Sequence, residues 1–158
     1  MSKNMLTVRP YVPADADLTI DIFLRAIREV ASRDYDQAQV DAWAKVEDRE
    51  AWAKRRSSRL AWIVQYGSTA IGFADLVPDG LLDMMFVHPD YQGIGAASLL
   101  LTTIESEARK QGLGRIFTEA SLTARPFFER RGFAVLTSQS VEKRGQTLEN
   151  FRMEKSLR

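Results

Sequence analysis

The chain has 158 residues, of which 45% are hydrophobic and 27% are charged, and its formal net charge is +1. These values are typical of a globular protein, and we expect residues 1–158 to form a single domain. The balanced charge excludes the strong electrostatic attraction that marks nucleic-acid-binding and membrane-surface proteins, so we expect neither partner.

The sequence contains no cysteine and only one histidine. It therefore has no disulfide and no cysteine nucleophile, and we expect no metal site. Residues 1–5 lack the apolar segment of a signal peptide, and no run approaches the roughly 18 apolar residues that a membrane span needs. We therefore expect a cytoplasmic protein.

The first third of the chain is predicted to be mainly helical. A short strand at residues 6–9 precedes a helix that is capped by Asp15 or Asp17 and runs to about residue 33. A charged helix is predicted near residues 48–57. Between these helices, a segment that is helical if it is continuous places three side chains on one face, namely Tyr35, Gln39 and Trp43.

The remaining chain is predicted to form most of the sheet. Strands at 60–66 and 70–76 make an antiparallel hairpin, and an apolar central strand ends by His88 because Pro89 cannot continue it. A helix from Ala96 leads to a strand at 115–120, and this strand–helix–strand order predicts one parallel pair. A short helix at 123–131 and strands at 133–141 and 148–155 follow. The fold class is therefore α+β, with a mixed, mainly antiparallel sheet flanked by helices.

The turn between the central strand and the next helix contains Gly93 and Gly95. Glycines let the backbone bend and approach a ligand closely, and the free N–H groups of a helix N-terminus favour an anion. The turn is therefore either a plain connection or a phosphate site. A dinucleotide site is also conceivable, because the sequence reads G-x-G-x-x-S and Glu119 ends the following strand. Against it, five residues separate the strand from the first glycine.

Two motifs resemble the GNAT acetyltransferases. The run Gln92–Ala97 (QGIGAA) is similar to the Q/R-x-x-G-x-G/A signature that binds acetyl-coenzyme A in this superfamily. Downstream, Ser121–Phe133 resembles its N-x-x-A-x-x-x-Y-x-x-x-G-F element. The resemblance implies the GNAT acyl-CoA N-acyltransferase fold and transfer of an acetyl group from acetyl-CoA to an amine, without a metal.

The resemblance also implies how the cofactor is held. The pantetheine arm lies between two splayed strands, as an added strand would, and the turn amides hold the pyrophosphate. By this comparison the cofactor-binding residues are Phe86, Val87, Gln92, Gly93, Ile94, Gly95, Ala96, Ala97, Ser121, Phe127 and Arg130.

The catalytic groups are less completely represented. The family often places a base on the strand before the turn, which makes Asp83 the candidate and Asp75 on the neighbouring strand the alternative. Phe128 occupies the position of the family's catalytic tyrosine and cannot donate a proton. Tyr91 is the substitute acid by residue type. Solvent can also protonate the leaving thiolate, because the pKa of a thiol is about 8.5.

The acceptor is expected to be a small-molecule or peptide amine. In this fold the early helices overlie the acceptor site, so Tyr35, Gln39 and Trp43 are predicted to line it. The resemblance is compatible with a homodimer. Because Phe128 displaces the expected acid, a non-catalytic acyl-CoA sensor is the alternative function.

Overall fold

A single mixed sheet of seven strands organises the part of the chain that the computed structural model describes, residues 5–158. Residues 1–4, on which the signal-peptide expectation partly rested, lie outside it. The strands are Leu6–Pro10 (β1), Leu60–Tyr66 (β2), Thr69–Leu76 (β3), Leu81–Val87 (β4), Arg115–Ser121 (β5), Ala134–Lys143 (β6) and Gln146–Ser156 (β7). Their order in the sheet is β1-β2-β3-β4-β5-β7-β6.

Five helices accompany the sheet: Ala16–Glu29 (α1), Gln37–Trp43 (α2), Arg49–Ser57 (α3), Ala96–Lys110 (α4) and Arg125–Arg130 (α5). The two faces of the sheet carry separate apolar clusters. Ile104 and Leu100 of α4 pack on one face, and Ile27 and Phe23 of α1 pack on the other. None of the helices within residues 5–158 is long and apolar enough to cross a membrane.

The predicted α+β fold with one parallel pair is confirmed. Among the strands within residues 5–158, only β4 and β5 run parallel, and every other neighbouring pair is antiparallel. The parallel pairing joins Leu81 to Phe117 and Leu82 to Thr118 and then stops. Because β4 continues to Val87 and β5 to Ser121, the two strands separate toward their carboxyl ends.

A β-bulge in β4 changes which way its side chains face. Leu82 pairs with Leu76 and Met85 with Ala74, so Asp83 and Met84 together oppose the single residue Asp75. The Asp75 carboxylate accepts a hydrogen bond from Met84 N at 2.8 Å and so satisfies the amide at the bulge. The backbone amide at the bulge is therefore hydrogen-bonded to a side chain of the neighbouring strand.

The early helices differ in detail from the prediction. The main helix ends at Glu29, and a short 3₁₀ turn covers Ala31–Arg33. Asp15 occupies the N-cap position without a capping bond, because its carboxylate accepts from Val12 N and pairs with Arg9 at 2.8 Å. The Asp36 carboxylate caps α2 by accepting a hydrogen bond from Gln39 N. Tyr35 therefore precedes the helix, contrary to the prediction that it shares a helix face with Gln39 and Trp43.

Candidate active site

The separation of β4 from β5 opens a groove of about 230 Å³. Its walls come from both strands, the start of α4, the turn before α5 and the end of α1. The side chains that matter below, all of which line this groove, are Trp43, Asp83, Met85, Phe86, Val87, Gln92, Ala97, Glu119, Ser121, Thr123, Phe127 and Phe128. Trp43 of the predicted acceptor site thus lines the same groove as six of the predicted cofactor-binding residues, namely Phe86, Val87, Gln92, Ala97, Ser121 and Phe127.

The backbone of β4 faces the groove at alternate residues. His88 N donates to Ile71 O of the adjoining strand at 2.7 Å, and in an antiparallel ladder the residues that bond the partner alternate. The backbone N–H and C=O groups of Phe86 therefore face β3, whereas those of Met85 and Val87 face the open edge of β4. Val87 O accepts a bond from Gln92 Nε2 at 2.9 Å. Sequence reasoning chose the backbone of Phe86 and Val87 for the strand contact, whereas the alternation keeps Val87 and places Met85 instead of Phe86 at the open edge.

The glycine turn delivers the N-terminus of α4 to one end of the groove. Gly93 and Gly95 have φ values of +76° and +94°, a region that side-chain-bearing residues rarely adopt. The first turn of α4 has no side-chain cap, so the amides of Ala96, Ala97 and Ser98 remain open to a ligand. The arrangement suits an anionic group.

An arginine lies beside this turn, one position after the predicted one. The Arg131 guanidinium is stacked 3.8 Å from the centre of the Phe127 ring, and its Nε donates to Ser98 Oγ at 3.1 Å. Arg130, which was predicted to bind the cofactor, is exposed and lies outside the groove lining. Arg130 is the last residue of α5, whereas Arg131 follows it with a non-helical φ of −109° and ψ of 18°, so the chain leaves the helix between the two side chains.

Two hydroxyl groups line the groove at the end of β5. Ser121 Oγ accepts from Ala124 N at 3.0 Å, which leaves its O–H free to donate. Thr123 Oγ1 is buried and has no hydrogen-bond partner within residues 5–158. A buried hydroxyl without a partner is unfavourable, and a polar group entering the groove would satisfy it.

Across the gap, on the α1 and α2 side of the sheet, lies a second cavity of about 230 Å³, here called the aromatic pocket. It shares Trp43, Asp83, Phe86, Glu119 and Ser121 with the groove, so the two cavities meet at the strand gap. Its further lining includes Phe23, Tyr35, Met84, Lys143, Leu148, Glu149 and Asn150.

The three predicted acceptor-site residues occupy different places. Trp43 lines both cavities and lies edge-on to Tyr35, with ring centres 5.5 Å apart. Tyr35 lines the aromatic pocket. Gln39 is half-buried and lies outside it, because its amide oxygen accepts from Asp36 N and its Nε2 donates to Thr147 O at 2.9 Å. The structure thus brings two of the three together.

Tyr35 also joins three segments around the aromatic pocket. Its hydroxyl donates to Glu149 O at 2.6 Å and accepts from Leu122 N at 2.9 Å. Replacing Tyr35 with Phe leaves both backbone groups without a partner, and we expect a loss of about 1–3 kcal/mol in the free energy of unfolding, measured by urea denaturation. Tyr66→Phe is the control, and an equal loss in both variants would contradict the role of the hydroxyl.

Three carboxylates near the gap are candidates for the general base, and they differ in their surroundings. Asp75 is fully buried beside Arg56, with 2.9 Å between Oδ2 and Nε, and burial raises its pKa to about 6. Asp83 lines both cavities, and its Oδ2 lies 2.7 Å from Arg59 Nη1. Glu119 also lines both cavities, and it forms no ion pair within residues 5–158.

The groove lining within residues 5–158 contains no tyrosine. Phe128 is 4% exposed and packs edge-on against Phe127. Tyr91, the predicted acid, instead packs near Tyr66 and His88, with ring centres 6.0 and 5.5 Å away. Among the same residues no group of three or more acidic or histidine side chains is placed to hold a metal ion.

Comparison with known proteins gives consistent results. The family model of the Acetyltransferase (GNAT) domain matches residues 31–157. The N-acetyltransferase YafP of Escherichia coli K12 is 36% identical over 151 residues, which cover 95% of each chain. Its length thus matches this chain almost completely.

Solved structures share the architecture. A GCN5-related N-acetyltransferase of Rhodopseudomonas palustris has a TM-score of 0.92 at 34% identity, over 95% of this chain and 94% of its own. The acetyltransferase yncA of Salmonella typhimurium, solved with acetyl-CoA, has a TM-score of 0.74 at 20% identity, over 98% and 95%. PaiA of Thermoplasma acidophilum, solved with coenzyme A, has a TM-score of 0.73 at 19% identity, over 96% and 98%.

Proposed function

The chain belongs to the GNAT family of N-acetyltransferases, and from this premise we propose that it transfers the acetyl group of acetyl-CoA directly to a primary amine. The observation that carries the proposal is the gap between β4 and β5, where a groove ending at the N-terminus of α4 meets the aromatic pocket. A thioester in the groove and an amine in the pocket would meet at this gap.

The groove has the chemistry that coenzyme A requires. The open amides of the first α4 turn would bind the pyrophosphate, with Arg131 beside them. Met85 and Val87 would bond the amides of the pantetheine arm, as an added strand does, and Thr123 Oγ1 would gain its missing partner. The coenzyme complexes of yncA and PaiA support the same choice of cosubstrate.

Glu119 is our candidate for the general base. An amine enters as an ammonium ion and must lose a proton before its nitrogen attacks the thioester carbon. Asp83 Oδ2 is held by Arg59, whereas Glu119 lies at the same gap without an ion-pair partner in the described chain. We assign proton removal to Glu119, and to Asp83 the orientation of the ammonium.

The remaining steps need no further side chain. Attack forms a C–N bond and a tetrahedral oxyanion, which an N–H group of β4 at Met85 or Val87 can stabilise. The C–S bond then breaks, the nitrogen gives its second proton to solvent, and the amide forms. A thiol with a pKa of about 8.5 is a tolerable leaving group as its thiolate. The coenzyme A thiolate then takes a proton from solvent.

Acetyl-CoA binding tests the groove. At a hundredfold excess over its Kd, acetyl-CoA is expected to raise Tm by about 5–10 °C, measured by differential scanning fluorimetry. Gly95→Val should abolish this shift, because a β-branched residue strongly disfavours the φ of +94° and would reshape the turn.

The matched control is Gly112→Val at the other end of α4. Gly112 has a φ of +77°, and a Cβ there would meet no atom within 4 Å. This variant should lose stability in a similar way and keep the acetyl-CoA shift. A shift that is retained in Gly95→Val, or absent from the wild type, would contradict binding at the turn.

Turnover distinguishes the enzyme from the acyl-CoA sensor. Release of free thiol is followed with a thiol-reactive dye for a broad panel of primary amines, and the acetylated amine is identified by mass spectrometry. Transfer to any amine supports the proposed function. Binding of acetyl-CoA without transfer across the panel would favour the sensor.

A further inference from the structure

A third cavity, here called the outer cavity, continues the aromatic pocket away from the strand gap. It has a volume of about 280 Å³ and shares Phe23, Trp43, Met84 and Lys143 with that pocket. Its remaining lining comes from the connection between α2 and α3, from α3 itself and from Arg144 at the tip of the β6–β7 hairpin. An acceptor longer than the aromatic pocket would extend into it.

The outer cavity carries more positive than negative charge, because four cationic and two carboxylate side chains line it. Lys45, Arg55 and Lys143 line it and form no ion pair within residues 5–158. Its two carboxylates are already engaged. Glu47 lies 2.7 Å from Arg144 Nε, and Asp48 accepts the capping bond of α3 from Ala51 N at 3.0 Å. These cations are therefore available to an anionic group.

The position of Lys143 is well defined. Arg144, the next residue, donates from Nη1 to Ala42 O at 2.6 Å and holds a positive φ of 47°. This contact anchors the hairpin tip to α2. Lys143 itself is half-buried and lies on the same face of β6 as Val141.

The strand-gap end of the aromatic pocket has the opposite character. Glu119 and Glu149 form no ion pair in the described part of the chain, and Asn150 Oδ1 is buried without a hydrogen-bond partner. Between this acceptor-rich end and the cations lie the rings of Phe23, Trp43 and Phe86. The combined cavity is therefore acidic at the gap, apolar in the middle and basic at its outer end.

We propose that the acceptor is a primary amine whose other end, beyond an apolar spacer, carries an anionic oxygen group, either a carboxylate or a phosphate. Its ammonium faces the carboxylates at the gap and its anion faces Lys45, Arg55 and Lys143. The proposal rests on the proposed function, because it names the substrate class of the same site.

The test compares amines of equal length. Hexylamine, the matched ω-amino acid, the matched ω-aminoalkyl phosphate and the matched diamine are assayed for thiol release, and their binding to the coenzyme A-saturated protein is measured by calorimetry. We expect kcat/KM for at least one anionic amine to exceed that of hexylamine about tenfold, with the diamine poorest. The carboxylate and phosphate arms show which anion is preferred.

Charge reversal makes the test specific. Lys143→Glu should remove the advantage of the anionic amines and favour the diamine, mainly through KM. Lys54→Glu makes the same charge change on α3 outside the outer cavity and should leave the preference unchanged. Equal kcat/KM and binding for all four amines, or an unaltered preference in Lys143→Glu, would overturn the proposal. Preferential binding of anionic amines without turnover would support it and contradict the proposed transfer.

Discussion

Replacing Glu119 with Gln is expected to lower kcat by about 10²–10⁴-fold while KM changes little, since proton removal by a positioned base contributes about that much. A glutamine side chain at this position would keep the size and polarity of the glutamate but cannot accept the amine proton. Glu119 is suited to this role because β5 brings it to the gap shared by both cavities, without an ion-pair partner within residues 5–158. Steady-state thiol release across pH measures the change.

Two further variants separate the alternatives for the base. Asp83→Asn should mainly raise KM, because Asp83 is assigned to hold the ammonium. Glu142→Gln, on an exposed residue of β6, should behave as the wild type. Nearly full kcat in Glu119→Gln, together with a large fall in Asp83→Asn, would instead assign the base to Asp83, as expected from the position of a base in the family.

Replacing Arg56 with Met is expected to lower the free energy of unfolding by up to about 3–5 kcal/mol at neutral pH, because the buried Asp75 carboxylate loses its nearer cation and keeps only Arg59 Nη1 at 3.7 Å. Arg56 and Asp75 are both 0% exposed, and their Nε and Oδ2 atoms are 2.9 Å apart. Met can occupy the same space beside Trp52, over which the guanidinium now lies at 4.7 Å. Urea denaturation measures the loss.

The loss should depend on pH in a definite direction. Burial raises the pKa of Asp75 from 3.8 to about 6, against the opposing effect of Arg56. A raised pKa means that the folded state binds the proton more tightly, so this group favours folding below about pH 4 and loses that contribution as pH rises through about 6. Without Arg56 the pKa should rise further. The deficit of Arg56→Met should therefore shrink as the solution is acidified from neutral pH.

A double variant provides the control for this pair. Asp75→Asn retains an oxygen that can accept from Met84 N, but it removes the nearest counter-ion of the buried Arg56. It should therefore also destabilise the fold. Arg56→Met combined with Asp75→Asn removes both charges and should recover most of the loss, because a neutral replacement of a buried ion pair is often tolerated. Simple additivity of the two single losses, or a deficit independent of pH, would contradict this account.

Much of the fold followed from local patterns. The hairpin at Gly67–Ser68, the end of β4 before Pro89 and the start of α4 at Ala96 were all predicted, because turn residues and helix formers act over a few positions. The exceptions were long-range. Asp15 was expected to cap a helix, but Arg9 engages its carboxylate, and no spacing rule reveals that partner.

The candidate site could be predicted only where it is a contiguous motif. Gln92–Ala97 forms one turn, so its glycines and open amides could be read directly from the chain. Tyr35, Gln39 and Trp43 were chosen together, because helical spacing would place them on one face and the early helices overlie the acceptor site in the family. Since Asp36 starts α2 after Tyr35, that spacing did not apply.

The family, the strand–turn–helix proposed to receive the donor and the presence of Phe128 in place of the family's tyrosine follow from the sequence alone, because each is a property of neighbouring residues. The tertiary structure decided which distant side chains meet. The bulge opposite Asp75 turns Asp83 toward the gap, and the departure of β5 from β4 brings Glu119 to it. The end of α5 at Arg130 places Arg131, the next residue, beside Ser98. Strand register and side-chain direction determine which of these side chains come together, and both depend on residues that are distant in the sequence.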